Sequence, residues 1–194
     1  MHWLPGSLVV FEGLDRTGKS KQIVKLLELP WDRPPALAHM PTGVANSTRD
    51  IYGVTELRKA DDPLGAQLLH LAAHVFNMPA LLELRQRQGL LMDRCGWSPL
   101  AYGAFGAGME HAGVTPDLFV ALAEGIWSRL QPDVVFLLDH PLEEDEANTE
   151  AVRRSYGQLA ERAGDVCVRL GHGSVEQIHA HVMDELRGRG FVVC

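Results

Sequence analysis

The sequence predicts a three-layer α/β fold, a central parallel β-sheet with helices on both faces. Two observations carry this. Short β-branched or aromatic apolar runs alternate along the chain with longer amphipathic segments, in the order strand, helix, strand, helix. The most strand-like runs are also apolar throughout, as strands buried on both faces of a parallel sheet are.

The elements follow in order. Ser7–Glu12 (SLVVFE) reads as a buried strand ending at Gly13. Gly18–Leu29 reads as a helix with Ile23, Val24, Leu26 and Leu27 on its apolar side, and Pro30 stops it. Ala36–His39 is a short strand and Thr48–Lys59 a helix. Pro63 to Arg87 is a long apolar-periodic helix in which Pro79 predicts a kink or a break. Leu90–Met92 is a strand ending at Asp93. Ser98–Phe105 and Pro116–Leu130 read as helices, and Val134–Leu138 as a strand. Thr149–Arg162 is an amphipathic helix, Val166–Leu170 a strand and Val175–Arg187 a last helix.

No linker is long or polar enough to divide the 194 residues, so 1–194 is read as a single domain. No apolar run approaches the ~18 residues of a membrane span, and the N-terminus lacks a basic stretch followed by a long apolar one. A membrane is therefore not expected as a partner. Three cysteines, Cys95, Cys167 and Cys194, are an odd number without short spacing. They argue against a disulfide framework or a CxxC metal site and place the chain in the cytoplasm, with the nucleus as the alternative reducing compartment. The net charge of −7, with only four lysines, argues against a nucleic-acid partner.

The strongest motif is Gly13-Leu14-Asp15-Arg16-Thr17-Gly18-Lys19-Ser20, a full G-x-x-x-x-G-K-[ST]. A strand delivers the chain into a glycine-bounded loop whose N–H groups turn inward, and the next helix adds its positive end. Together they cradle phosphate oxygens. Gly13, Arg16, Thr17, Gly18, Lys19 and Ser20 are the expected ATP-binding residues, with Lys19 on the outer phosphates and the Ser20 hydroxyl on Mg²⁺. A GTPase is the main competitor. Asp93-Arg94-Cys95-Gly96 fits its D-x-x-G, but no N-K-x-D follows, and the last lysine is Lys59.

Phe11-Glu12-Gly13-Leu14-Asp15-Arg16-Thr17-Gly18-Lys19-Ser20 resembles the F-E-G-x-D-x-x-G-K-S start of thymidylate kinases. Asp93-Arg94-x-x-x-Ser98-x-x-Ala101-Tyr102 resembles their D-R-x-x-x-S-x-x-A-[YF]. Pro132-Asp133 before a strand and Ser174-Val175-Glu176-Gln177-Ile178-His179 match two further family segments in the same order. The resemblance implies a P-loop kinase fold and transfer of a phosphoryl group from ATP, with Mg²⁺, to a deoxynucleoside monophosphate, dTMP above others. It implies catalytic roles for Asp15, Arg16, Lys19 and Arg94. On the acceptor side it implies Asp15, Arg49, His70, His74, Arg94, Ser98 and Tyr102, and at the metal Ser20 and Asp93. Arginine suits the acceptor phosphate because its planar fork grips two oxygens. The family is commonly dimeric, and the apolar, small-residue stretch Leu64–Val75 permits a homodimer.

The chain departs from the family in two places. Where the family carries an aromatic residue and an arginine at the base, His70 and His74 stand here, one helical turn apart. This replaces a permanent charge with a group expected to titrate near neutrality. The second departure is the lid after Asp139, which is shortened to about residues 140–150 and is acidic at Glu143–Glu146. That run reads as a solvated segment mildly repulsive to ATP, with Arg16 supplying the positive charge the lid lacks. The loop Met40–Arg49 aligns with register slip, so Arg49 and Asn46 compete as the acceptor-phosphate residue. Two alternatives stand beside dTMP phosphorylation: a related P-loop kinase for another or modified nucleotide, and a catalytically weak nucleotide-binding relative. His172, His179 and His181 are expected on an exposed helix face or loop.

Overall fold

Every residue of Leu8–Gly13 is buried, which a strand achieves only inside a sheet covered on both sides. The computed structural model describes residues 1–44, 50, 53, 63–105 and 114–193. In chain order the strands are β1 (His2–Trp3), β2 (Leu8–Gly13), β3 (Ala36–His39), β4 (Leu90–Asp93), β5 (Val134–Leu138), β6 (Cys167–Arg169) and β7 (Val192–Val193). The helices are α1 (Lys19–Leu27), α2 (Pro63–Gln88), α3 (Pro116–Trp127), α4 (Glu150–Ala163) and α5 (Val175–Gly188). A π-helix spans Pro99–Ala104 and a 3₁₀ turn spans Gly164–Val166.

The main sheet has the order β3-β4-β2-β5-β6, and every neighbouring pair is parallel. The alternation of side chains along each strand divides the core in two. Val9, Phe11, Val134 and Phe136 pack with Ile23 and Leu26 of α1 and Val182 and Leu186 of α5. Leu8, Val10, Leu90, Met92 and Val135 pack with Met78 and Leu81 of α2 and Trp127 of α3. This is the expected three-layer architecture. At the end of the sheet away from the strand C-termini, the Asp133 carboxylate accepts from Leu8 N at 2.6 Å and from Arg85 Nη2 at 2.9 and 3.1 Å. The Pro132-Asp133 motif therefore ties β5 to β2 and α2.

The register pairs Phe11 with Asp93. Parallel pairing puts the C-terminal ends of β2 and β4 side by side, so the loops that leave them, 13–18 and 94–98, face one another. The crevice outside the strand C-termini is where open α/β sheets bind ligands.

Three features differ from expectation, and one expected element is untested. The chain ends pair as the antiparallel strands β1 and β7, too short to show a period in sequence. α2 runs without a break through Pro79. Proline costs the Val75 carbonyl its helical donor, but Val75 lies on an exposed part of the helix, open to solvent. The segment after Ser98 is helical but π-helical, with Pro99 at its first turn; such turns concentrate at functional sites. The helix expected over Thr48–Lys59 lies almost wholly outside the described residues. Elsewhere the boundaries agree within a few residues. Thr115, Thr149 and Ser174 cap α3, α4 and α5 by accepting from the backbone N–H three residues on. No helix among the described residues is long and apolar enough to cross a membrane.

Candidate active site

Gly13 opens the phosphate loop with φ 127°. A Cβ there would lie 1.9 Å from the Leu138 carbonyl oxygen of β5, so only glycine lets the loop leave the sheet this way. Gly18, with φ 90°, precedes α1. Lys19 is buried and folds back over the loop. Its Nζ donates to the carbonyls of Leu14 and Gly13 and lies 3.4 Å from Thr17 Oγ1. Burial, reinforced by the nearby Arg94 charge and only partly offset by Asp93, Asp15 and Glu12, lowers the Lys19 pKa to about 8. The lysine is thus held inside the loop by backbone oxygens, which phosphate oxygens would displace.

Ser20 Oγ donates to Asp93 Oδ2 at 3.3 Å, and His39 Nδ1 approaches the same oxygen at 3.2 Å. Asp93 Oδ1 is buried and has no partner. Burial alone would raise the Asp93 pKa, but the His39 hydrogen bond and the Lys19 and Arg94 charges hold it below the ordinary value. An ionised carboxylate with one spare buried oxygen, beside a hydroxyl at the head of the phosphate loop, is a donor set of the hard-oxygen kind that fits Mg²⁺ and its waters. No cluster of three His, Cys, Asp or Glu ligands occurs among the described residues.

Arg94 leaves β4 with φ 71°. Its Nη1 donates to Gly13 O (3.1 Å), Ser98 Oγ (2.8 Å) and Tyr156 Oη (3.2 Å), and its Nη2 pairs with Asp15. Ser98 Oγ and Tyr156 Oη each donate a hydrogen bond to Glu12 Oε2, both at 2.9 Å. Glu12 is fully buried, and its carboxylate also accepts from the backbone N–H of Cys95, Ser98 and Gly13. The result is a closed polar network. Arg94 donates to two hydroxyls, the hydroxyls donate to Glu12, and Glu12 holds the start of the π-helix. Burial pushes the Tyr156 hydroxyl well above its ordinary pKa, with the Glu12 charge adding to the shift. Although burial opposes it, the Arg94 pKa is raised by Tyr156, Glu12, Asp15 and Tyr102. The arginine also lies 5.4 Å from the Tyr102 ring centroid.

Two cavities meet across this network. One, of about 370 Å³, lies over the phosphate loop between Lys19, Ser20, Arg16 and Asp93. The other, of about 330 Å³, runs from Asp15 and Arg94 past Ser98 and Tyr102 to Gln67, His70 and His74 of α2. Asp15, His39 and Arg94 line both. Asp15 is clamped from the lid: its N–H donates to Tyr102 Oη (3.0 Å) and Asn148 Oδ1 (2.9 Å), while Asn148 Nδ2 donates to its carbonyl at 3.0 Å. Burial pushes the Tyr102 pKa up to about 12, so it stays a neutral hydroxyl.

The acidic lid is solvated as expected, with Glu143, Glu144 and Glu146 exposed, but it is also tied to the phosphate loop. Arg16, half-exposed, donates to Glu143 at 2.8 Å and Asp145 at 3.0 Å, and Leu142 N–H donates to its carbonyl at 2.8 Å. Two of the four acids, Glu143 and Asp145, are thus paired with Arg16, while Glu144 and Glu146 stay exposed. His74 also diverges from expectation. His70 and His74 line the same cavity, but His74 is only 2% exposed. Burial, with His70 nearby, drives its pKa down to about 3, so it does not titrate near neutrality. His179 is half-buried rather than exposed, and its Nδ1 is enclosed without a partner. Arg49 and its competitor Asn46 lie outside the described residues. Tyr156, His39, Asn148 and Trp127 have no assigned role in the sequence reading, and Glu12 appears there only as a letter of the F-E-G motif. Glu12 left a signal there, as a motif letter and as a charge at the end of an otherwise apolar strand.

A phosphate loop on a five-stranded parallel sheet, facing a second cavity across a buried arginine, defines a P-loop phosphotransferase of the mononucleotide-kinase class. The thymidylate kinase family model matches residues 11–166, and the chain belongs to that family. It is 29% identical over 152 residues to a thymidylate kinase of Prochlorococcus marinus (strain NATL2A), covering 73% of this chain and 70% of the relative. It is 32% identical over 152 residues to one of Chlorobium chlorochromatii, covering 76% and 65%. A thymidylate kinase structure from Ehrlichia chaffeensis superposes with a TM-score of 0.75 at 20% identity over 95% of this chain and all of that one. One from Candida albicans gives 0.70 at 18% identity over 96% and 93%. The last two establish the fold.

Proposed function

We propose that the chain transfers the γ-phosphoryl group of ATP to dTMP, giving ADP and dTDP, within a single domain of residues 1–194. The observation that carries this reading is the pair of adjoining cavities sharing Asp15 and Arg94, inside a chain of the thymidylate kinase family. The triphosphate enters the loop 13–20 and takes over Lys19 from the loop carbonyls. Arg94, already in position, offers its Nη2 edge to the acceptor phosphate. Glu12, Ser98 and Tyr156 keep it in place, so two anions are aligned at little reorganisation cost. Asp15 positions the sugar side of the acceptor, and the Tyr102 ring forms a wall beside it. Ser20 and Asp93 would hold Mg²⁺, which when bound neutralises charge developing on the transferred group. Arg16 leaves Glu143 and Asp145 as the phosphates arrive.

A cytoplasmic homodimer completes the proposal. The exposed Leu68, Val75 and Phe76 of α2 supply apolar area for a second copy, and sedimentation velocity tests it. The activity is tested with Mg·ATP and a panel of ribo- and deoxynucleoside monophosphates, followed by ADP release. Turnover strongest with dTMP is expected. Turnover only with other acceptors, or binding without turnover, overturns the reading.

A further inference from the structure

His74 forms part of the acceptor cavity wall and is also fixed from behind. Trp127 Nε1 of α3 donates to His74 Nδ1 at 2.9 Å, the rings meet edge to face with centroids 5.4 Å apart, and both side chains are buried. An indole N–H can only donate. His74 Nδ1 must therefore be the unprotonated nitrogen, and the single proton of the neutral ring resides on Nε2. Burial keeps the ring neutral at working pH. His74 thus presents the cavity with one uncharged donor whose tautomer is set by a residue on another helix. A free imidazole would offer a donor or an acceptor as the ligand required.

The cavity has a direction. Asp15 and Arg94 border the phosphate-loop cavity as well, whereas Gln67, His70 and His74 border only this one. A nucleotide with its phosphate at Arg94 therefore places its base against α2. We propose that Trp127 is a positioning residue for base selectivity: by holding His74 as an Nε2–H donor, it selects a pyrimidine presenting a carbonyl to His74, as thymine and uracil do, over one presenting an amino group, as cytosine does. The inference rests on the proposed acceptor site. An amino group there would set donor against donor and leave both buried without a partner, and unmade hydrogen bonds discriminate more strongly than missing contacts.

Two measurements test this. In the wild-type protein, ¹⁵N spectra of the His74 imidazole are expected to show a bare Nδ1 and a protonated Nε2. In Trp127→Phe, which keeps a ring against His74 but removes the donor, the ratio of kcat/KM for dTMP over dCMP is expected to fall about tenfold or more, the worth of one hydrogen bond. A packing defect alone would slow both substrates together. A proton on Nδ1 in the wild type overturns the proposal, as does a folded Trp127→Phe with an unchanged ratio. If Trp127→Phe does not fold, the wild-type spectrum decides. A wild-type enzyme that phosphorylates no nucleotide overturns the functional reading instead, and the spectrum still reports the tautomer.

Discussion

Arg16 and Arg94 share a backbone conformation and differ in almost everything else. Both sit at positive φ, 59° and 71°, at the mouths of adjoining loops, and each is paired with two acids. Arg94 is enclosed among Glu12, Asp15, Ser98 and Tyr156, while Arg16 holds Glu143 and Asp145 at the solvent edge. The contrast separates two uses of one side chain. A buried charge must have its partners supplied by the fold, so Arg94 is fixed before any substrate arrives. An exposed pair is screened and weak, so Arg16 can exchange carboxylates for phosphates. On the proposed reading, the acceptor side is pre-organised and the donor side is assembled on binding.

The strongest way to break this comparison is at Arg94. Arg94→Lys keeps the charge but loses the fork, and kcat/KM for the acceptor should fall about 10³-fold; a loss of only a few-fold would mean the buried network does not hold a catalytic cation. Glu12→Gln tests the network itself. All five hydrogen bonds to the carboxylate come from donors, so an amide would set its own NH₂ against at least one of them. A loss of about 3–5 kcal/mol is expected in urea unfolding.

The loop lysine gives a smaller, pH-dependent effect. With its free-enzyme pKa lowered to about 8, Lys19 loses its proton as pH rises through 8, and kcat/KM for ATP should fall there. Bound phosphates raise that pKa, so kcat should hold to higher pH. The sign for stability is opposite. Between pH 8 and the ordinary 10.5 the unfolded chain binds more protons, so this group's contribution to stability rises with pH over that window. The smallest effect belongs to the lid. Glu143→Gln with Asp145→Asn should leave thermal stability unchanged and lower KM for ATP about two- to five-fold at low salt, with the gain fading as salt rises. An unchanged KM would show that Arg16 does not turn to the phosphates.

Much of this protein was legible in its sequence because the information is local. A buried strand needs an apolar run, a phosphate loop needs glycines at Gly13 and Gly18 and a lysine at Lys19, and caps need Thr149 or Ser174. These requirements fall within a few residues of one another. Glu12 to Tyr156, Asp15 to Asn148 and His74 to Trp127 are separated by 144, 133 and 53 residues, and no periodicity announces them. His74 shows the limit most plainly. Its sequence position suggested a titrating base-reader, and only the packing of α3 against α2 decided that it is buried, neutral and bound through Nδ1. The acidic lid likewise reads as repulsion until the fold brings Arg16 between its carboxylates. Residue type and spacing determined the fold and the phosphate loop. The state of each charge was decided by tertiary structure, because protonation and pairing depend on burial and on partners that the chain brings together only when folded.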